Sequence, residues 1–154
     1  QGDLPNVVVT GDFETAVDQV VDQLAMNQSD RDTTAIIGKT LAECAQLTDA
    51  LQARGEKVTL IRTENQRLAP GVIVVPSFLA KGLEFDAVIV WNANTANYQR
   101  EDERQLLYTI CSRAMHELTV VAVGELSPLL SRVDRGLYTL SGTSGLSEPT
   151  STLK

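Results

Sequence analysis

The chain has 154 residues, of which 43% are apolar and 21% charged, a length and balance that suit one compact domain with its own hydrophobic core. No apolar run approaches the roughly 20 residues needed to cross a bilayer, and Gln1 to Pro5 carry neither a basic start nor an apolar signal segment. The net charge of −7 excludes a free-standing nucleic-acid binder of the usual basic kind, because such affinity comes largely from neutralising phosphates.

Short β-rich runs alternate with longer stretches of helical period. Val7 to Val9 reads as a strand, and Asp12 to Asn27 as a helix with Phe13, Val17, Val20, Val21 and Leu24 on one face. A second strand is expected over Thr33 to Ile37. A second helix follows over Thr40 to Arg54, opened by the capping box Thr40-x-x-Glu43 and stopped at Gly55. Val58 to Ile61 reads as a short third strand and residues 62–71 as a polar loop. Val72 to Val75 and Ala87 to Trp91 are near-continuous apolar runs, as expected for strands covered on both faces.

A third helix is expected over Asp102 to Met115, with acids at its positive end and Leu106, Leu107, Ile110 and Ala114 along one face. Leu118 to Val123 reads as a strand, Pro128 to Val133 as a short helix and Leu137 to Leu140 as a brief strand. This alternation predicts one three-layer α/β domain over residues 1–140 around a mostly parallel sheet. The Ser/Thr/Gly-rich residues 141–154 read as a flexible tail.

Cys44 and Cys111 lie far apart, no CxxC occurs, and there is a single histidine. That pattern argues against zinc and for reduced thiols in a cytoplasmic protein. Gly38-Lys39-Thr40, between a strand and a helix, invites comparison with a phosphate-binding P-loop. Such a loop needs a further glycine five positions earlier, and Thr33 stands there. The triplet is therefore read as a turn at Gly38, a solvated Lys39 and a helix cap at Thr40.

Two stretches carry the chemistry. In Ala80-Lys81-Gly82-Leu83-Glu84-Phe85-Asp86, polar residues and a glycine follow a buried strand, at what would be a carboxyl end where α/β folds bind ligands. Gly82 would allow close backbone approach, Lys81 offers a cation, and Glu84 could accept from a sugar hydroxyl. The plainer alternative is a solvated connection. In Asp102-Glu103-Arg104-Gln105-Leu106-Leu107-Tyr108-Thr109-Ile110-Cys111-Ser112-Arg113-Ala114, Arg113 falls near the end of a helix. It could cap the last carbonyls, pair with a surface acid, or present its guanidinium to a phosphate across an interface.

The first stretch resembles motif V, and the second motif VI, of UvrD-like superfamily 1 helicases, in that order and at compatible spacing. The resemblance covers residues 33–124 and falls nearest the helicase-IV-like branch, which includes a bacterial motor that binds RNA polymerase and helps recycle it. It implies the second RecA-like domain of a cytoplasmic, nucleoid-associated ATP-dependent DNA helicase or translocase, not a complete enzyme. ATP and Mg²⁺ would be held mainly by an N-terminal RecA-like domain carrying Walker A and B, and single-stranded or duplex DNA would be the track. By the same resemblance, Arg113 reaches the γ-phosphate, Glu84 contacts the ribose, and Lys81 and Gly82 couple nucleotide to nucleic acid. Where relatives carry Thr-x-His, this chain has Pro76-Ser77-Phe78, so Ser77 and Phe78 are candidate nucleic-acid contacts. Phe78 could stack on a base or pack into the fold. Two rivals remain: an α/β interaction module that binds RNA polymerase or another protein, and a small-molecule enzyme. The lack of G-x-G-x-x-G and of a well-placed histidine disfavours the second.

Overall fold

Alternate strand residues are buried on opposite faces of one sheet, which is why the strands read as unbroken apolar runs. Val7, Val9, Ala35, Ile37, Ile73, Val75, Val88, Val90, Val120 and Ala122 enter one core, while Val8, Ile36, Val74, Ile89 and Val121 enter the other. A strand places successive side chains on opposite faces, so a sheet with helices on both sides needs apolar residues at every position.

The computed structural model describes residues 6–26, 33–67, 71–131 and 139–142. Along the chain run β1 (Asn6–Thr10), α1 (Phe13–Met26), β2 (Thr34–Gly38), α2 (Leu41–Ala53), β3 (Val58–Leu60) and β4 (Val72–Pro76). They are followed by α3 (Ser77–Ala80), β5 (Phe85–Trp91), α4 (Glu101–Cys111), β6 (Ala114–Val123), α5 (Pro128–Ser131) and β7 (Thr139–Gly142). The seven strands form one sheet in the order β3-β4-β2-β5-β6-β1-β7, and every named pair is parallel. α1 and α2 cover one face through Val17, Val20, Leu24, Cys44, Leu47 and Leu51. α4 and α5 cover the other through Leu107, Ile110 and Leu129, joined by Ala80 of α3. The expected three-layer α/β architecture is what the chain adopts.

Four local expectations need correction. First, α4 ends at Cys111 rather than Met115. The Arg113 N–H donates to the Ile110 carbonyl, a tightened last turn, and Ala114 pairs with Phe85 of β5. Pairing in the sheet thus takes residues whose local pattern continues the helix. A bulge between Phe85 and Ala87 of β5 absorbs the register mismatch with β6.

Second, the capping box of α2 is only half formed. Thr40 Oγ1 accepts from the Glu43 N–H at 3.2 Å, but Glu43 Oε1 accepts from Asn97 Nδ2 at 3.1 Å. Third, α3 is a single helical turn where no element was expected. Fourth, β7 spans Thr139–Gly142, two residues past the expected domain end at 140. The rest of the expected tail, 143–154, lies outside the described residues, as do 132, 133, 137 and 138 of the last expected helix and strand. Among the described residues, no helix is long and apolar enough to cross a membrane.

Candidate functional site

The motif V-like stretch is shaped by one turn. α3 leaves the end of β4, and the Leu83 N–H donates back to the Ala80 carbonyl at 3.1 Å. Lys81 has φ −60° and ψ 136°, and Gly82 has φ +80°, the pattern of a type II turn with glycine at its third position. A Cβ built on Gly82 would meet nothing within 4 Å. The glycine is therefore required by its backbone angle, and no other part of the described chain crowds it. Lys81 and Glu84 are exposed on either side of it.

The direction of this loop also differs from expectation. Phe85, next in the chain, pairs with Ala114, the first residue of β6, and its N–H donates to the Arg113 carbonyl at 2.9 Å. Leu83 and Glu84 thus run into the amino edge of β5, not the carboxyl edge. The ligand argument drawn from strand carboxyl ends does not apply to them.

Arg113 sits at this same edge, just past α4. Its Nε donates to the Thr109 carbonyl at 3.1 Å, its Nη1 to the Leu83 carbonyl at 3.2 Å, and its Nη2 to Ser112 Oγ at 3.1 Å. One bond caps the helix end, which is the plain reading of an arginine there. The Leu83 bond is long-range and could not be read from spacing. It joins the two motif-like stretches through one half-exposed guanidinium. Tyr108, on an exposed part of α4, accepts a weak 3.5 Å hydrogen bond from Arg104 Nη1.

Ser77 and Phe78 are neighbours with opposite fates. Ser77 is 5% exposed, and its Oγ donates to the Lys39 carbonyl at 2.9 Å. Phe78 is 57% exposed, so it does not pack into the fold. It borders an open cleft of about 640 Å³ together with Leu79, Lys81, Leu83 and the turn from Ile61 to Gln66, which includes Arg62. Gln66 shapes that turn: its Oε1 accepts from the Arg62 N–H and its Nε2 donates to the Leu60 carbonyl. Sequence reading did not single out this turn, which lies on a separate polar loop.

Lys39 is partly buried and paired rather than simply solvated. Its Nζ donates to Glu103 Oε2 and to the Asn97 carbonyl, both at 2.6 Å, and lies 5.5 Å from the centroid of the buried Tyr98 ring. Glu103 also accepts on Oε1 from the Gln99 and Arg100 N–H groups at 3.0 and 2.9 Å. The Gln99 N–H, then Lys39, then the Arg100 N–H pull its carboxyl down to about 2. The lysine is thus committed to a carboxylate 64 positions along the chain, a relationship with no local signature. Among the described residues, no group of three or more His, Cys, Asp or Glu side chains could hold a metal ion.

A parallel sheet between two helical layers, with no glycine-rich phosphate loop of its own, defines this chain as a RecA-like α/β domain. The chain belongs to the C-terminal domains of UvrD-like DNA helicases. Residues 71–121 match the UvrD-like helicase C-terminal domain family. The crystal structure of the C-terminal domain of a possible DNA helicase from Lactobacillus plantarum WCFS1 is 84% identical, superposes with a TM-score of 0.85, and is matched over 91% of this chain and 86% of that one. The E. coli DEAD-box protein SrmB, crystallised with the regulator of ribonuclease activity A, shares the fold at a TM-score of 0.61. That match covers 98% of this chain and 100% of the other at 12% identity, a level that speaks to fold alone. No curated protein matches the chain.

Proposed function

We propose that this domain is the second RecA-like half of an ATP-driven DNA motor, which completes an ATP site formed with a separate N-terminal RecA-like domain. The observation that carries this reading is Arg113. It stands half-exposed at the end of α4, held by carbonyl and hydroxyl oxygens and paired with no carboxylate among the described residues. A guanidinium held only by neutral acceptors has no carboxylate competing with an incoming phosphate.

In this reading the reaction is transfer of the γ-phosphoryl group of ATP to water, which is catalysed mostly by positioning and charge stabilisation. Arg113 neutralises charge on the transferring group, and the exposed Glu84 takes the ribose. Lys81 and Gly82, on the turn between Glu84 and Phe78, carry the state of the nucleotide towards the cleft. There Phe78, Arg62 and Lys81 offer one aromatic face and two cations to a DNA strand. Mg²⁺ neutralises phosphate charge when bound. Its ligands are assigned to the partner domain by the resemblance to UvrD-like helicases. The net charge of −7 agrees with a domain that meets DNA only beside that partner. It also favours a second reading, in which the acidic surface docks on RNA polymerase and the parent acts in polymerase recycling.

The deciding experiment is steady-state ATPase of the full-length helicase bearing Arg113→Ala, with ATP binding measured on the same variant. A fall in kcat of ~10³ or more with ATP still bound supports a transition-state role. Unchanged turnover would make Arg113 a helix cap and leave the interaction module as the better account.

A further inference from the structure

We propose that Lys39 is a positioning residue for Arg113: it closes a ring of contacts that fixes, relative to one another, the loop and the helix meeting at that arginine. The inference rests on the ATP-motor reading above and adds to it a residue that neither motif-like stretch contains.

The ring can be traced bond by bond. From the turn after β2, the Lys39 side chain donates to Glu103 in the first turn of α4, and its backbone carbonyl accepts from Ser77 Oγ at the start of α3. From Glu103 the helix runs to Arg113. From Ser77, α3 and the Gly82 turn run to Leu83. The two arms meet again where Arg113 Nη1 donates to the Leu83 carbonyl. One residue therefore holds both arms at one end, and Arg113 holds them at the other.

Burial shows why the first end needs holding. The buried residues of α4 are Leu107 and Ile110, in its second half, whereas Glu101, Asp102 and Gln105 are exposed. The early turn is fixed by Glu103, whose side chain is 12% exposed. That carboxylate closes the helix start onto Gln99 and Arg100 and reaches across to Lys39. Asn97 locks the same junction: its carbonyl accepts from Lys39, and its Nδ2 donates to Glu43 of α2 and to the Asn92 carbonyl. Without the lysine, α4 keeps its apolar anchor but loses the strut that sets its tilt about that anchor. A small misplacement of a charge-stabilising group far from the mutation can cost up to about 10²-fold in rate.

The test is DNA-stimulated ATPase of the full-length helicase for Lys39→Met, Lys39→Arg, Arg113→Ala and the Lys39→Met/Arg113→Ala double variant, each checked for folding by its thermal melt. The expected result is a fall in kcat of about 10- to 100-fold for Lys39→Met with KM for ATP little changed. Lys39→Arg should recover most of that loss, and the double variant should be no slower than Arg113→Ala alone. If Lys39→Met does not fold, Glu103→Gln tests the same strut from its other end and should show the same split between kcat and KM. A lowered melting temperature with unchanged kcat in either folded variant, or losses that multiply in the double variant, overturns the proposal. Unchanged kcat in Arg113→Ala instead removes the motor reading beneath it.

Discussion

Arg113 and Leu83 are 30 residues apart, and the Arg113 Nη1 donates to the Leu83 carbonyl at 3.2 Å. That bond joins two separate stretches of the chain. The residue that would meet a phosphate also holds the last backbone carbonyl before Glu84. Any pull on the guanidinium is therefore felt by the turn at Gly82 and by Lys81 and Phe78 beyond it.

The geometry of that turn sets a first prediction. Gly82 has φ +80°, and nothing would crowd a Cβ there, so the cost of Gly82→Ala is conformational. It should destabilise the domain by about 1–2 kcal/mol, the penalty for placing an L-residue in the left-handed region. Gly82→Asn should cost less, because asparagine tolerates that region better. Urea unfolding checks both: the midpoint should move with an unchanged m-value, in the order Gly, Asn, Ala.

Glu103 sets a pH dependence with a definite sign. Its carboxyl is lowered from an ordinary 4.5 to about 2 by the Gln99 and Arg100 N–H groups and by Lys39. A group with a depressed folded-state value contributes stability that is fully present above its unfolded value. That contribution is lost as pH falls towards the folded value. The gap in unfolding free energy between the native chain and Glu103→Gln should therefore be constant near neutrality and shrink between about pH 4.5 and 2. A gap that stays flat through that window would mean Glu103 is not held as described.

How far the sequence could be read depends on whether a relationship is local. Val72 to Val75 and Ala87 to Trp91 announce doubly covered strands by composition alone, and Thr40 announces its own helix start. α3 is invisible because Ser77 to Ala80 is too short to show a period. The end of α4 is misread because Ala114 and Met115 suit the helix, while the ladder with β5 decides otherwise. Arg113 and Glu84 stand out as residues, but only the fold brings Arg113 onto Leu83. Lys39 is the sharpest case. Beside Gly38 and Thr40 it reads as a solvated turn residue, and its partner Glu103 lies in another helix, with β3, β4 and β5 between them along the chain.

Tyr98 offers a test of polar satisfaction. The ring is 0% exposed, and its hydroxyl has no hydrogen-bond partner among the described residues. Burial pushes its ionisation well above the ordinary tyrosine value. An unmet buried hydroxyl carries a desolvation cost with no compensating bond. Tyr98→Phe should therefore be neutral or stabilising by up to about 1 kcal/mol, since the ring, its packing and its place beneath Lys39 are kept. A loss of more than ~1 kcal/mol in chemical denaturation would reveal a partner for that hydroxyl.

The neighbours Ser77 and Phe78 should separate stability from DNA binding. Ser77 is buried, and its hydroxyl is used by the Lys39 carbonyl. Ser77→Ala leaves that acceptor without its donor and should cost about 1–3 kcal/mol of stability. Affinity for single-stranded DNA should barely move. Phe78 is 57% exposed at the cleft, so Phe78→Ala should leave the melting temperature nearly unchanged. If a base stacks on it, binding of an oligonucleotide to the full-length helicase should weaken by about 1–3 kcal/mol, on the order of 5- to 150-fold. Fluorescence anisotropy of a labelled strand, read beside thermal melts of the same variants, gives both quantities. Weakened binding with Ser77→Ala and none with Phe78→Ala would move the DNA track away from this cleft.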